Sequence, residues 1–135
     1  MASEQGPHIL YLEDDESVLS ITTSMLEHLG CHVRGETDSL KALRTFSEEP
    51  DAFNLAILEI LMPQLSGLEL AVRLRRIRPR FPVLFCAEYT DGSCVDKIEA
   101  AGIGRVLFKP LAANQLGGAI RQALMGGANG ASRRP

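Results

Sequence analysis

The chain has no tryptophan, two tyrosines and three cysteines in 135 residues. Cys31, Cys86 and Cys94 are odd in number and lack CxxC spacing, so no disulfide framework is written here and reduced thiols are expected. No apolar run approaches the roughly 18–20 residues that a bilayer-spanning helix needs. The opening MASEQGPH lacks the charged-then-apolar order of a secretory signal, so a cytoplasmic location is expected. Basic residues are not in excess: 14 Lys and Arg against 17 Asp and Glu leave a net charge of −3. That balance argues against general binding to nucleic acid or to an anionic membrane. A glycine-rich phosphate loop is missing too. Where a nucleotide or flavin protein would carry GxGxxG or GxxxxGK, the chain reads EDDES, which repels phosphate. No histidine falls at the carboxyl end of an expected strand, which leaves a Ser-His-Asp hydrolase unsupported.

What is present is an alternation of strand and helix signals, repeated five times. HILYL is a short apolar run suited to a strand buried on both faces. Val18, Ile21, Met25 and Leu29 follow at helical spacing and stop at Gly30. CHVRGE is a weaker, edge-like strand, after which Asp38 caps a helix bearing Leu40, Leu43 and Phe46. NLAIL is the third strand. Ser66 and Glu69 have the spacing of a capping box, placing a helix from there to about residue 78, ahead of Pro79. FPVLFCA is the fourth strand, with a short helix over 93–101 ended by Gly102. RVLF is the fifth, and a last helix carries Leu116, Ile120, Ala123 and Leu124. Residues 1–7 and 126–135 read as tails around one domain over 8–125.

A (βα)5 alternation means a doubly wound parallel sheet, three layers deep, with helices on both faces. In such sheets the functional site lies beyond the carboxyl ends of the strands. The first strand ends in EDDE, the third in Glu59, the fourth in CAEYT and the fifth in FKP, with Lys109 before Pro110. Glu13, Asp14, Glu59 and Lys109 therefore converge on one rim. Crowded carboxylates raise one another's pKa, and a hard cation such as Mg²⁺ relieves the crowding. Asp15 and Glu16 are better read as the acidic opening of the first helix.

With those residues in view, the chain resembles the response regulator receiver domain of two-component signalling, over about residues 9–124. ILYLEDDE, AILEILMPQLSGLEL, FPVLFCAEYTDG and GIGRVLFKPL carry the resemblance, in order and at matching separations. It implies a flavodoxin-like strand order 2-1-3-4-5 and a non-enzymatic signalling module. It also implies an acceptor carboxylate at Glu59 and a metal set of Glu13, Asp14, Glu59 and the backbone carbonyl of Leu61. Lys109 would contact the phosphoryl group. A histidine kinase or other signalling domain is the implied partner, with a homodimer through the fourth-helix to fifth-helix face as a further option.

Four positions depart from that pattern. Glu59 stands where an aspartate is expected, Ala87 where a hydroxyl is expected, and Val106 where an inward-turning aromatic is expected. Glu88 occupies a position that is normally small. A glutamate is longer than an aspartate by one methylene, about 1.5 Å. It can reach Lys109 directly and set a fixed charge where a phosphoryl group would appear. The expectation is a degenerate receiver that docks or dimerises without phosphorylation and binds Mg²⁺ weakly or not at all. A receiver that still phosphorylates Glu59 is the alternative, and a small flavodoxin-like ligand-binding protein comes after it.

Two other clusters stand out. RLRRIRPR, over 73–80, reads as a solvated basic face at a helix end or, less simply, as a docking patch. His28, Cys31 and His32 have a metal-like spacing, but a helix end and a strand start separate them, so zinc is not expected. Cys86 reads as a buried, unreactive thiol.

Overall fold

Strand β1 (His8–Leu12) is followed by α1 (Glu16–His28), β2 (His32–Glu36), α2 (Ser39–Glu48) and β3 (Leu55–Glu59). The remainder is α3 (Gly67–Ile77), β4 (Val83–Ala87), α4 (Gly92–Ala101), β5 (Arg105–Phe108) and α5 (Ala113–Gly130). A 3-10 turn at Pro50–Ala52 is not signalled by the sequence pattern. This computed structural model describes residues 6–88 and 92–130, with Ser93, Cys94 and 127–130 described by backbone alone. Residues 89–91 of the fourth-strand motif, and the Cys94 thiol, lie outside that description.

The five strands form one parallel sheet in the order β2-β1-β3-β4-β5. Central β3 and β4 are buried at every position, as apolar runs without alternation should be, whereas edge strand β2 alternates between exposed and half-buried residues until it ends on buried Glu36. Successive residues on a strand face opposite layers. Leu10, Leu12, Ala56, Leu58, Phe85 and Val106 pack toward α2, α3 and α4, against Phe46, Leu70, Leu74 and Ile98. Ile9, Tyr11, Ile57, Leu84, Cys86 and Leu107 pack toward α1 and α5, against Leu26, Leu116, Ala119 and Ile120. None of the described helices is long and apolar enough to cross a membrane.

The caps follow the sequence signals. Asp15 accepts from the Ser17 and Val18 amides at the start of α1, and Asp38 from Leu40 and Lys41 at the start of α2. Ser66 and Glu69 form a complete capping box on α3.

Of the expected tails, residues 1–5 and 131–135 lie outside the described residues, and the parts nearest the domain are in contact with it or continue its last helix. Pro7 accepts the His32 amide, and Gly6, at φ +66, lies so close to Gly30 that a Cβ there would stand 1.9 Å from the Gly30 carbonyl oxygen. Those two residues belong to the fold. At the other end α5 continues through Gly130 rather than stopping at 125. Glycine lowers helix propensity, at about 1 kcal/mol each relative to alanine, but keeps its amide donor, and no proline occurs between Pro110 and Pro135.

The basic segment is also reassigned in part. Arg75 donates to the carbonyls of Phe81 and Ile103. Arg78 donates to Pro50 and lies over the Phe81 ring. These two are internal clamps, because loop carbonyls at the foot of the sheet need donors that the strands do not supply. Only Arg73, Arg76 and Arg80 face outward.

Candidate functional site

The carboxyl ends of β1, β3 and β5 bring Glu13, Glu59 and Lys109 together. Glu13 directly follows β1. Its amide donates to the Glu36 carbonyl, and its Oε2 accepts from the Asp15 amide, so backbone and side chain are both fixed. Glu59 is the last residue of β3, paired in register with Cys86 of β4. Its backbone is hemmed in by the start of α3: the Gly67 amide donates to Ile60, and a Cβ on Gly67 would meet the Glu59 carbonyl oxygen at 2.2 Å. Glycine is required there by that close approach. Lys109 follows β5, and its amide donates to the Ala87 carbonyl, which locks the ends of β4 and β5 together. The Lys109–Pro110 peptide is cis.

The Lys109 ammonium sits between two acids. Nζ donates to Glu13 Oε1 at 2.7 Å and stands 2.5 Å from Glu59 Oε1. The second contact is an ion pair at hydrogen-bonding distance. All three side chains are withdrawn from water, at 2%, 5% and 14% exposure for Glu13, Glu59 and Lys109. Asp14 stays exposed and makes no ion pair with the lysine among the described residues, although its charge is felt at Glu59.

One ammonium does not neutralise two buried carboxylates. Burial pushes Glu59 upward, the nearby Lys109 pulls it back, and Glu13 and Asp14 push it up again, leaving its pKa at about 7. Burial alone would lower Lys109, but hydrogen bonding and charge from Glu13 and Glu59 prevail and raise it. Cys86 is raised, mainly by complete burial and then by the Glu59 charge, so the thiol is inert.

The remaining candidate positions fall as follows. Ala87 ends β4, fully buried, and shares a sheet face with Val106 of β5, which pairs with Phe85. Cys86 points to the opposite layer, so a one-residue slip that would put it at the hydroxyl position is not what the register gives. Glu88 is exposed just past β4, and Leu61 is half exposed two residues beyond Glu59. No group of three His, Cys, Asp or Glu side chains is arranged to hold a metal among the described residues. Lys109 engages one oxygen of Glu13 and one of Glu59, so a divalent cation at this rim would compete with the ammonium for those carboxylates.

Two contributors escaped the sequence reading. Ser39, buried at the start of α2, donates to the Pro63 carbonyl and accepts the Leu65 amide, pinning the loop after Glu59. Glu36, buried at the end of β2, holds Arg34 and Thr45. Neither lies in a recognisable motif; both are found only once β2, α2 and the loop after β3 are neighbours.

The geometry is that of a receiver, and the comparisons agree. The family model for the response regulator receiver domain matches residues 9–121, and the chain belongs to that family. It is a receiver domain of two-component signalling. It is 30% identical to the response regulator receiver protein CpdR of Brucella abortus over 87% of this chain and 96% of that one. It is 25% identical to the Transcription factor SKN7 of Chaetomium thermophilum and 27% identical to Ethylene receptor 2 of Oryza sativa subsp. japonica. It covers 16% of the length of each of those two proteins. A receiver domain structure from Clostridium thermocellum superposes with TM-score 0.83 at 27% identity, covering 88% of this chain and 94% of that one. A CheY-like receiver from Methanospirillum hungatei gives 0.80 at 25%, covering 91% and 97%.

Proposed function

We propose that this receiver works without phosphorylation, as a docking module held in one state by the Glu59–Lys109–Glu13 triad. The observation that carries the reading is the placement of one ammonium 2.7 Å and 2.5 Å from two buried carboxylates. A nucleophilic carboxylate must present a free oxygen in line with the phosphodonor, and an offset of about 1 Å can cost on the order of a hundredfold in rate. Here the Glu59 oxygen nearest the lysine is spent on it. Ala87 offers no hydroxyl to a phosphoryl oxygen, a partner worth about 1–3 kcal/mol where present. Val106 offers no ring to report a change at the rim.

The module serves a histidine kinase or another signalling domain, and it catalyses no reaction of its own. Its unit runs from Gly6 through α5. A homodimer through α4, β5 and α5 is compatible with the exposure of Leu124 and Met125 on α5. Incubation with acetyl phosphate and Mg²⁺, followed by intact-mass measurement, tests the reading. An unchanged mass is expected. Stoichiometric addition of a phosphoryl group, mapped to Glu59, would replace it with a receiver that uses an atypical acceptor.

A further inference from the structure

The basic segment of α3 divides into an inner and an outer set, and only the inner set has structural work. Arg75 and Arg78 are bound to backbone carbonyls. Arg73, Arg76 and Arg80 are exposed and form no ion pair or hydrogen bond among the described residues. Glu69, the one carboxylate on the same outward face, is turned back onto the Ser66 amide in the capping box. Val72 and Ile77 are each 41% exposed.

Helical spacing orders these residues around the outer face of α3. Val72 lies at one margin, Arg76 and Arg73 occupy the middle, and Ile77 lies at the other margin. Arg80 continues the basic line past the helix end. The result is a cationic ridge between two β-branched shoulders. A membrane-surface helix has the opposite order, with apolar residues in the centre and cations at the margins. Phosphate-backbone binding draws on a positive field, and this chain is net negative at −3. The patch is at the far side of a helix whose first turn abuts Glu59, so it is separate from the triad.

We propose that the outer face of α3 docks an acidic amphipathic helix of a partner protein. Its carboxylates would lie along Arg73, Arg76 and Arg80, and its apolar residues would cover Val72 and Ile77. Charge complementarity sets the orientation and the apolar margins exclude water from the pairs. The partner is thereby defined by a line of Glu or Asp with apolar flanks.

The test uses the whole chain and a labelled synthetic peptide of about 16 residues, helical, with glutamates on one line and leucines beside it. A matched peptide with lysines in place of the glutamates is the control, and anionic vesicles and duplex DNA are further arms. Saturable binding of the acidic peptide is expected, at least about tenfold tighter than the lysine peptide and weakened by salt. Hydrogen-exchange protection should map to 72–80. The variant pair Arg73→Gln and Arg76→Gln should weaken binding at least about tenfold while the chain still melts cooperatively within a few degrees of the native one, since neither side chain has an internal partner and only the favourable charge at the helix end is lost. Absence of acid-dependent binding, equal binding by the variants, a footprint elsewhere, or preference for vesicles or DNA would each overturn the proposal.

Discussion

Glu59 carries one methylene more than an aspartate, and its buried carboxylate stands 2.5 Å from the Lys109 ammonium. The consequence is a proton that is held in the folded state and released in the unfolded one. Its folded pKa of about 7 lies above the ordinary 4.5, so between those values the native state binds more protons than the unfolded chain. Stability from this group is therefore fully present at acid pH, declines as pH rises from about 4.5 to 7, and is flat above. Glu59→Gln should flatten that slope and stabilise the domain at pH 8 by about 1–3 kcal/mol, read from denaturant melts across pH. Lys109→Met is expected to act in the opposite direction. It leaves two buried carboxylates without a counter-charge and should cost about 3–5 kcal/mol at pH 8, with Glu59→Gln recovering part of the loss. The members of this site could be read directly from the sequence because each ends a strand. The reach of Glu59 to Lys109 was legible as well, from its length; the capture of Glu13 by the same ammonium at 2.7 Å was not, since it depends on side-chain placement between the ends of β1 and β5.

At the scale of elements, capping and close approach decide how firmly the acid site is framed. Ser66→Ala removes the side-chain half of the α3 capping box and should cost about 1 kcal/mol in a thermal melt. Gly67→Ala should cost more, about 1–3 kcal/mol, because the added methyl meets the Glu59 carbonyl and α3 must shift. It should also move the chemical shifts of Glu59 and Lys109, which Ser66→Ala leaves near their native values. Strand and helix placement was legible throughout: apolar runs gave β1, β3 and β4, and Asp15, Asp38 and Ser66 marked the helix starts. The misreadings came where local composition was a poor guide to context. Gly126 and its neighbours look like a tail but continue α5, and Arg75 and Arg78 look solvent-facing but bind carbonyls. Gly6 carries no signal by itself; only its contact with Gly30 shows that it belongs to the fold.

For the molecule as a whole, the triad predicts indifference to magnesium. Adding about 10 mM Mg²⁺ should leave the melting temperature of the native chain unchanged, since binding to the folded state alone would raise it. The double variant Glu59→Asp, Ala87→Thr shortens the carboxylate and supplies the hydroxyl. It should gain a magnesium-dependent stabilisation of about 1 kcal/mol, or a few degrees, and accept phosphate from acetyl phosphate. A variant that stays inert would show that the loss of acceptor chemistry extends beyond these two positions.

The Glu13–Lys109 contact joins residues 96 positions apart, and the same ammonium also touches the end of the middle strand. Such a contact cannot exist until the first, third and fifth strands are all in the sheet. It should be absent from the folding transition state, so that Lys109→Met accelerates unfolding and leaves the refolding rate almost untouched. The lysine then acts as a latch that closes last, and its contribution is to how long the native form survives rather than to how quickly it is reached.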